Sequence, residues 1–562
     1  MNAFPIGLSA LGTAQRALDL IGQNVSNAST PGYHRQAANL VSRTAGGTIG
    51  TGVDIATLTR YETPPVRTAI LTGNGGQGAV ATRIDARRQI EASLRSGAGG
   101  VGDSLESFFN QAAQLTTRPE DAAVRRPFLA AAGDVARQFN AAAGDLDRLR
   151  TDLGAQVGEA VNQINAFATQ IADLNSRIAI SAQSGGQPND LLDQRDQLVD
   201  QLSQRIDIRT TQQPFGVVNI VSSGAAVVVG EFANQFQAVP NGAGNIDITQ
   251  AGVAGPVPVT SGRLGGLLQE YNQDLPATRA RLDGLAAAFI SRVNQVQATG
   301  LGTTGPQVVA AGTVSVTDPS QPLATQNLPF PIQAGQLTVS VSDTAAGTRT
   351  NTTVAIDPAT QSLQDVATVL SGVPGLTASV DPASGTLQVS AQPGFAFDFA
   401  GRDTNPPSTG PVANSDTAGV LSGLGVGGLF TGTNATGVAV RTEIADDPRL
   451  LAASRSGQPG DASNFERLVA VRDQAAVSGR TLAADFTDLA TGVGSTVTSL
   501  GDQQAALAGV QQNLFTQEQG VTGVDTNEEL VRLLDFQRMI EGASKYLSVV
   551  NTALDSIMGI LK

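Results

Sequence analysis

Hydrophobic positions recur every seven residues at both ends of this chain. Near the carboxyl end Leu533, Ile540, Leu547, Leu554 and Leu561 stand seven apart, with Phe536, Ala543, Val550 and Ile557 three residues after the first four. An apolar period of 3.5 predicts a helix that offers one seam to a partner helix. At the amino end Phe4, Leu11, Leu18 and Val25 repeat at the same interval, with Ala14 and Ile21 three residues after two of them. Chain ends usually fray, so apolar helices placed there predict termini built for assembly. One seam against one short partner is marginal. Both ends are therefore expected to be poorly ordered in a free monomer and helical in a multi-subunit bundle.

Between these ends the period changes several times. The first helix must stop at a turn built from Asn27, Thr30, Pro31, Gly32 and Tyr33, because the proline forces Thr30 extended and Pro31-Gly32 suits the centre of a type II turn. Residues 35–60 read as short strands separated by glycines. From Ala81 to Ile208 the pattern is helical, with breaks at Gly97–Gly102, Pro119 and Gly185–Pro188. Its longest piece lines up Phe139, Leu146, Leu149, Leu153, Val157, Ile164, Phe167, Ile171, Leu174 and Ile178 on one face. Residues 209–260 turn to β character, with Val217–Val221 and Ala226–Val229 as apolar runs, and Gly262–Gln297 is helical again. From 302 to 410, strands such as Leu337–Val341 and Leu387–Ser390 flank a helical Leu363–Leu370, giving the order strand, strand, helix, strand, strand. Helices follow at 465–478 and 485–520, the second with Phe486, Val493, Leu500, Leu507 and Leu514 seven apart. Thr526–Glu529 reads as a capping box opening the last helix.

The expected fold is α+β and multidomain, with discontinuous coiled-coil domains made from both termini, an inner helical rod, and mainly β modules inserted in the middle. The boundaries are 1–60 with 521–562 for the terminal assembly domain, and 61–208 with 262–300 and 465–520 for the rod. A small β module covers 209–261, an outer β-rich module 302–410, and a loop-rich transition 411–464.

Composition removes most chemistry from this picture. The chain has 562 residues, enough for several cores, yet only 15% are charged, so its surface is made of small polar groups. A net charge of −14 offers no basic patch, which argues against nucleic acid and anionic membrane as partners. With no cysteine there is no disulfide, thiolate nucleophile or Cys-ligated metal. The single histidine, His34, follows the Pro-Gly turn and is a poor candidate for catalysis or metal binding. No catalytic, cofactor or metal site is expected. The amino terminus lacks the features of a cleaved secretory signal and no stretch suits a bilayer, so export would use a route without signal cleavage. Gly73–Gly78 and Gly423–Gly428 satisfy GxGxxG but lack the strand–turn–helix context and read as linkers. Asn24-Val25-Ser26 is a chance glycosylation sequon within a helix, and Asp190, Asp193, Asp196 and Asp200 read as the solvated start of a helix capped by Asn189 or Asp190.

Several segments carry a family likeness. Ile6-Gly7-Leu8-Ser9-Ala10-Leu11, Asn24-Val25-Ser26-Asn27 and Thr30-Pro31-Gly32-Tyr33 resemble the amino-terminal signature of bacterial flagellar axial proteins. Glu528-Glu529-Leu530 through Leu534, Phe536-Gln537 and Ala543-Ser544-Lys545 to Leu561 are similar to the partner helix of that group. Asn189 to Leu198, and Gly262 to Leu268 with Leu275-Pro276 and Leu282-Asp283, resemble the hook-associated protein 1 family, the hook–filament junction proteins. The likeness covers about 1–60, 125–300 and 420–562. It implies a secreted structural subunit without enzymatic activity. Such a subunit is exported through the flagellar type III channel with a chaperone on its carboxyl-terminal helices. It then polymerises as a ring between hook protein and the second hook-associated junction protein. Two other readings stay open: another axial protein of hook or filament, and a secreted adhesin using the Thr/Ser/Gly-rich middle.

Overall fold

The structure, a computed structural model, describes residues 3–45, 49–95, 97, 99–408 and 410–560; Leu561 of the carboxyl-terminal seam lies outside them. Helix α1 (Ala3–Ser26) ends at the expected turn, where the Tyr33 N–H donates to Thr30 O at 3.2 Å and Gly32 takes a φ of 77°. A side chain at Gly32 would be strained in that conformation. The residues that follow form two long strands, β1 (Gln36–Ala45) and β2 (Ile49–Arg60), paired as one antiparallel hairpin with irregularities at Asn39/Leu40 and Arg43/Thr44.

Helix α2 (Pro64–Leu94) corrects the sequence reading, since it begins well before Ala81 and passes straight through the glycine run expected as a linker. The reason is close packing. A Cβ at Gly78 would run into the Gln204 carbonyl and one at Gly73 into the Gln511 side chain. Gln511 Nε2–H donates to Ile70 O (3.1 Å) and Asn74 Oδ1 (2.8 Å), and Asn74 Nδ2–H to Ser203 Oγ (2.9 Å), so the glycines form the floor of a polar contact. This contact offsets the helix-propensity cost of glycine, about 1 kcal/mol per residue. The second glycine run stays a loop, with positive φ at Gly425 and Gly427.

Then come α3 (Val101–Leu115), α4 (Ala122–Gln183) and α5 (Asn189–Ser203). Strands β3 (Arg209–Gln212), β4 (Val218–Ser222), β5 (Ala225–Val229) and β6 (Phe232–Ala233) form one antiparallel sheet, and β7 (Phe236–Pro240) pairs with β8 (Ile246–Gln250). Helices α6 (Gly262–Gln269) and α7 (Leu275–Ala298) are joined by a π-helical turn. The outer module contains β9 (Val309–Ala311), β10 (Gly335–Asp343), β11 (Thr348–Ile356), α8 (Leu363–Ser371), β12 (Leu376–Val380), β13 (Leu387–Ala391) and β14 (Phe395–Asp398). Its sheets run β11-β10-β14 and β12-β13-β9. Short elements α9 (Val420–Gly423), β15 (Phe430–Thr431), β16 (Ala439–Val440), α10 (Thr442–Asp446) and α11 (Ser463–Ala470) lead to the long helices α12 (Leu482–Thr522) and α13 (Thr526–Ile560).

The chain is an α+β multidomain protein of two compact units. One comprises Met1–Asp85, Leu153–Asn272 and Thr498–Lys562; the other comprises Ala86–Asp152 and Gln273–Val497. Both termini and the 209–261 strands belong to the first unit, and the outer module to the second. The second unit is organised around aromatic contacts, with the Phe108 ring 5.0 Å from Phe128 and 5.2 Å from Phe289, and Phe289 5.0 Å from Phe430.

Candidate assembly site

The two ends of the chain pack on each other. Gly7 of α1 lies under Leu547 of α13, where a Cβ would sit 2.6 Å from Leu547 Cδ2, so a larger residue there needs the Leu547 side chain to move. Asn24, near the other end of α1, reaches Glu529 at the start of α13, which makes the pair antiparallel. Thr13, Ala14, Ala17, Leu20 and Ile21 of α1 are buried as well. On its opposite side α1 rests on the hairpin, where Thr13 Oγ1–H donates to Val53 O (3.1 Å) and Ser9 Oγ accepts from Val53 N–H (3.3 Å).

The predicted seam residues fall in three groups. Ala14, Ile21 and Ala543 are buried, while Leu11, Leu18, Leu533, Phe536, Ile540, Leu547, Val550 and Leu554 are half-buried. Phe4, Val25 and Ile557 are exposed. Outside its buried and half-buried positions α13 leaves further apolar side chains exposed, among them Leu530, Val531, Leu534, Val549 (68% exposed) and Met558 (63%), while the partly exposed Tyr546 lies against Gly7.

Where α1, the hairpin, α5 and α13 meet, the contact changes from apolar to ionic. Asn24, only 1% exposed, uses its whole amide. Its Nδ2–H groups donate to Gln36 O (2.8 Å) and Glu529 Oε2 (3.1 Å), and its Oδ1 accepts from Gln36 N–H (3.1 Å) and Tyr33 O–H (2.8 Å). The fully buried Glu529 also accepts from Arg35 Nε–H (3.0 Å), while Arg35 Nη2–H donates to Glu528 Oε2 (2.7 Å). The backbone N–H of Arg35 donates to Thr522 O (2.8 Å) at the end of α12. The next layer belongs to α5. His34 Nδ1 is 2.8 Å from Asp193 Oδ1, and Arg60 Nη2–H donates to Asp193 Oδ1 (2.7 Å) and Asp196 Oδ2 (2.6 Å). Asn189 Nδ2–H donates to Gln36 Oε1 (2.7 Å), and Gln197 Nε2–H to Pro31 O (2.8 Å). The turn Asn27–Tyr33 is thereby seated on α5, with Thr30 Oγ1–H donating to Asn27 Oδ1 (3.1 Å).

Charge follows this packing. Burial raises the Tyr33 hydroxyl, and the carboxylates of Asp193, Asp190 and Glu529 push it further, to about 12. Burial opposes charge on Arg60, but Asp196 and Asp193 outweigh it and hold its pKa above the usual arginine value. Burial likewise opposes charge on Asp196, yet Arg195, Arg60 and Arg67 keep that carboxyl below the ordinary range. Burial dominates at Asp200 and raises it despite Arg67.

Two expectations are corrected here. The acidic run of α5 is not a solvated helix start, because Asp193 and Arg195 are buried and Asp196 is partly so; the helix follows Pro188 without a side-chain cap. Glu529 does not form a capping box with Thr526: Asp525 Oδ1 accepts from Asn527 N–H (2.8 Å), and Glu529 turns inward. Asn24, a formal sequon residue, is the hub of the site. Its signal was a polar residue three places after Ile21, on the face that also carries Ala14. Among the described residues no group of three or more His, Asp or Glu could hold a metal ion, and no helix is long and apolar enough to cross a membrane.

Residues 87–313 match the family described as flagellar hook-associated protein FlgK helical domain, and residues 4–34 match flagella basal body rod protein. The chain is 27% identical over 576 residues to flagellar hook-associated protein 1 of Salmonella typhimurium, covering 98% of each. It is 26% identical to that of Escherichia coli, again over 98% of each. The counterpart of Bacillus subtilis aligns at 26% over 53% of this chain and 67% of its own. The flagellar hook junction protein FlgK from Burkholderia pseudomallei shares the fold, with a TM-score of 0.50 at 18% identity over 81% of this chain and 100% of that one.

Proposed function

The chain belongs to the flagellar hook-associated protein 1 family, and from that premise we propose that it forms the junction between hook and filament by polymerising through its terminal helices. The observation that carries this reading is the set of apolar side chains left exposed along α13, Leu530, Val531, Leu534, Val549, Ile557 and Met558, together with Phe4 and Leu8 of α1. Apolar groups exposed along a helix suit a contact surface, and neighbouring copies supply the same chemistry. The seam holds the two ends of one subunit together; the exposed groups join subunits into a ring. Hook protein below and the second hook-associated junction protein above complete the stack. The flagellar type III export route delivers the chain, with a chaperone shielding the carboxyl-terminal helix until assembly. The role is structural, without a reaction.

Deleting residues 533–562 tests this. Cells carrying the truncated chain are expected to bear bare hooks and to release filament subunit into the medium. Normal filaments would refute the junction reading.

A further inference from the structure

We propose that the polar contact joining Asn24 to Glu529 and Arg35 sets the register in which α1 and α13 pair. The inference concerns the fold of the single chain and does not depend on the assembly reading.

The apolar contacts alone do not choose one alignment. With Gly7 against Leu547 and the helices antiparallel, Ala14 and Ile21 fall at the levels of Ile540 and Leu533. The α13 seam repeats every seven residues. Sliding α13 by one heptad would set Gly7 against Ile540 and Ala14 against Leu533, or Gly7 against Leu554 and Ala14 against Leu547. Each alternative again places a small α1 residue under a branched apolar one. A repeat of this kind invites slippage, and a buried polar residue at one seam position is the attested way to stop it.

Asn24 occupies such a position, on the same face as Ala14, Ala17 and Ile21, with all four of its hydrogen-bonding positions filled. The first slide moves the Glu529 carboxylate, fully buried here, to the level of Ala17, which has no side-chain donor. The second brings Phe536 beside Asn24 and carries Glu529 past the end of α1. Either slide strips a buried charge or amide of its partners, a loss the apolar contacts do not incur. Arg35 strengthens the choice because it is fixed independently, through its N–H bond to Thr522 O and its place over the Tyr61 ring at 5.4 Å.

The chain has no native cysteine, so engineered pairs in the full chain read register directly. Gly7→Cys with Leu547→Cys reports the observed alignment, and Leu547→Cys also clears the space that a Cβ at position 7 needs. Gly7→Cys with Ile540→Cys or with Leu554→Cys reports a one-heptad slide, about 10 Å away at 1.5 Å per residue and beyond disulfide reach. In the otherwise unchanged chain the first pair is expected to oxidise at least about tenfold more than either shifted pair. Combining Asn24→Leu with Glu529→Leu keeps apolar bulk and leaves Arg35 its bond to Glu528. In that background the shifted pairs are expected to come within about threefold of the first. Asn24→Ala with Glu529→Gln provides a second background. Cross-linking confined to 7–547 in both backgrounds would overturn the proposal. Loss of all three cross-links in both would overturn it too, since the contact would then be required for pairing itself and not for alignment.

Discussion

The terminal helix pair and the outer module bury their side chains in opposite ways. In the module, two three-stranded sheets and α8 bring Val339, Val389, Leu363, Val366 and Phe397 together with none of them exposed to solvent. The helix pair instead buries small residues, Gly7, Ala14, Ala17 and Ala543, and turns Val549 and Met558 outward. The first has a complete core and gains its stability within one chain. The second buries small residues together with Leu20 and Ile21 and leaves apolar groups such as Val549 and Met558 exposed. The ionic layer around Asn24 and Asp193 fits this difference: a pair held by small residues has little apolar bulk to fix its geometry, and directional polar contacts supply the rest.

The largest effect expected on this contrast comes from truncating the module core. Phe397→Ala removes a ring with no exposed surface and packed at 5.5 Å on Phe399, and is expected to cost about 3–5 kcal/mol. Amide exchange should quicken through residues 335–398 and stay unchanged in α1 and α13. Equal loss in both regions would show that they do not stabilise independently.

A smaller effect is expected from alkali, and only on the helix pair. Tyr33 is held at about 12 against 10.0 for a free tyrosine. A group whose pKa is raised on folding contributes stability that is whole below its unfolded value. That contribution is lost as pH climbs from about 10 through about 12, where a tyrosinate would face Asp193, Asp190 and Glu529. Tyr33 is partly exposed, so solvent screening limits the contribution to about 1 kcal/mol. Chemical denaturation from pH 9 to 12 should show this slope in the natural chain and a shallower one in Tyr33→Phe. Identical slopes would remove Tyr33 from the site.

The smallest change in stability belongs to the exposed apolar residues of α13. Val549→Ser is expected to move the melting free energy by no more than about 0.5 kcal/mol while abolishing filament attachment in cells. A melting loss as large as that of Phe397→Ala would place Val549 in a core within one chain.

Local order was legible in the sequence wherever one period dominated. The helix of α13, the break at Thr30–Tyr33, the long α4 and the order β10, β11, α8, β12, β13 follow from apolar spacing and turn residues that act within a few positions. Legibility failed where the partner was remote. The run Gly73–Gly78 reads as a linker until Gln204 and Gln511 are seen pressed against it, because glycine's low helix propensity is visible locally and its packing value is not. The acids of α5 read as solvated because their counter-charge, Arg60, is more than a hundred residues away in sequence. Of the amino-terminal seam residues, Ala14 and Ile21 lie on the buried face, whereas Gly7 and Ala17, which carry almost no hydropathy signal, also belong to it and were not legible from spacing.

By itself the sequence determined that this protein has helical ends with a seven-residue seam, β modules between them, no thiol chemistry and the signatures of a flagellar axial protein. The first three rest on residue type and short-range spacing, and the last on a likeness of motifs. Only the tertiary structure decided that the ends pair antiparallel, that Asn24, Arg35, Asp193 and Glu529 form one buried polar site, and that apolar residues of α13 such as Val549 are left exposed. Those depend on which residues far apart in the chain are brought within a few ångströms, where burial turns ordinary polar side chains into strong and directional constraints.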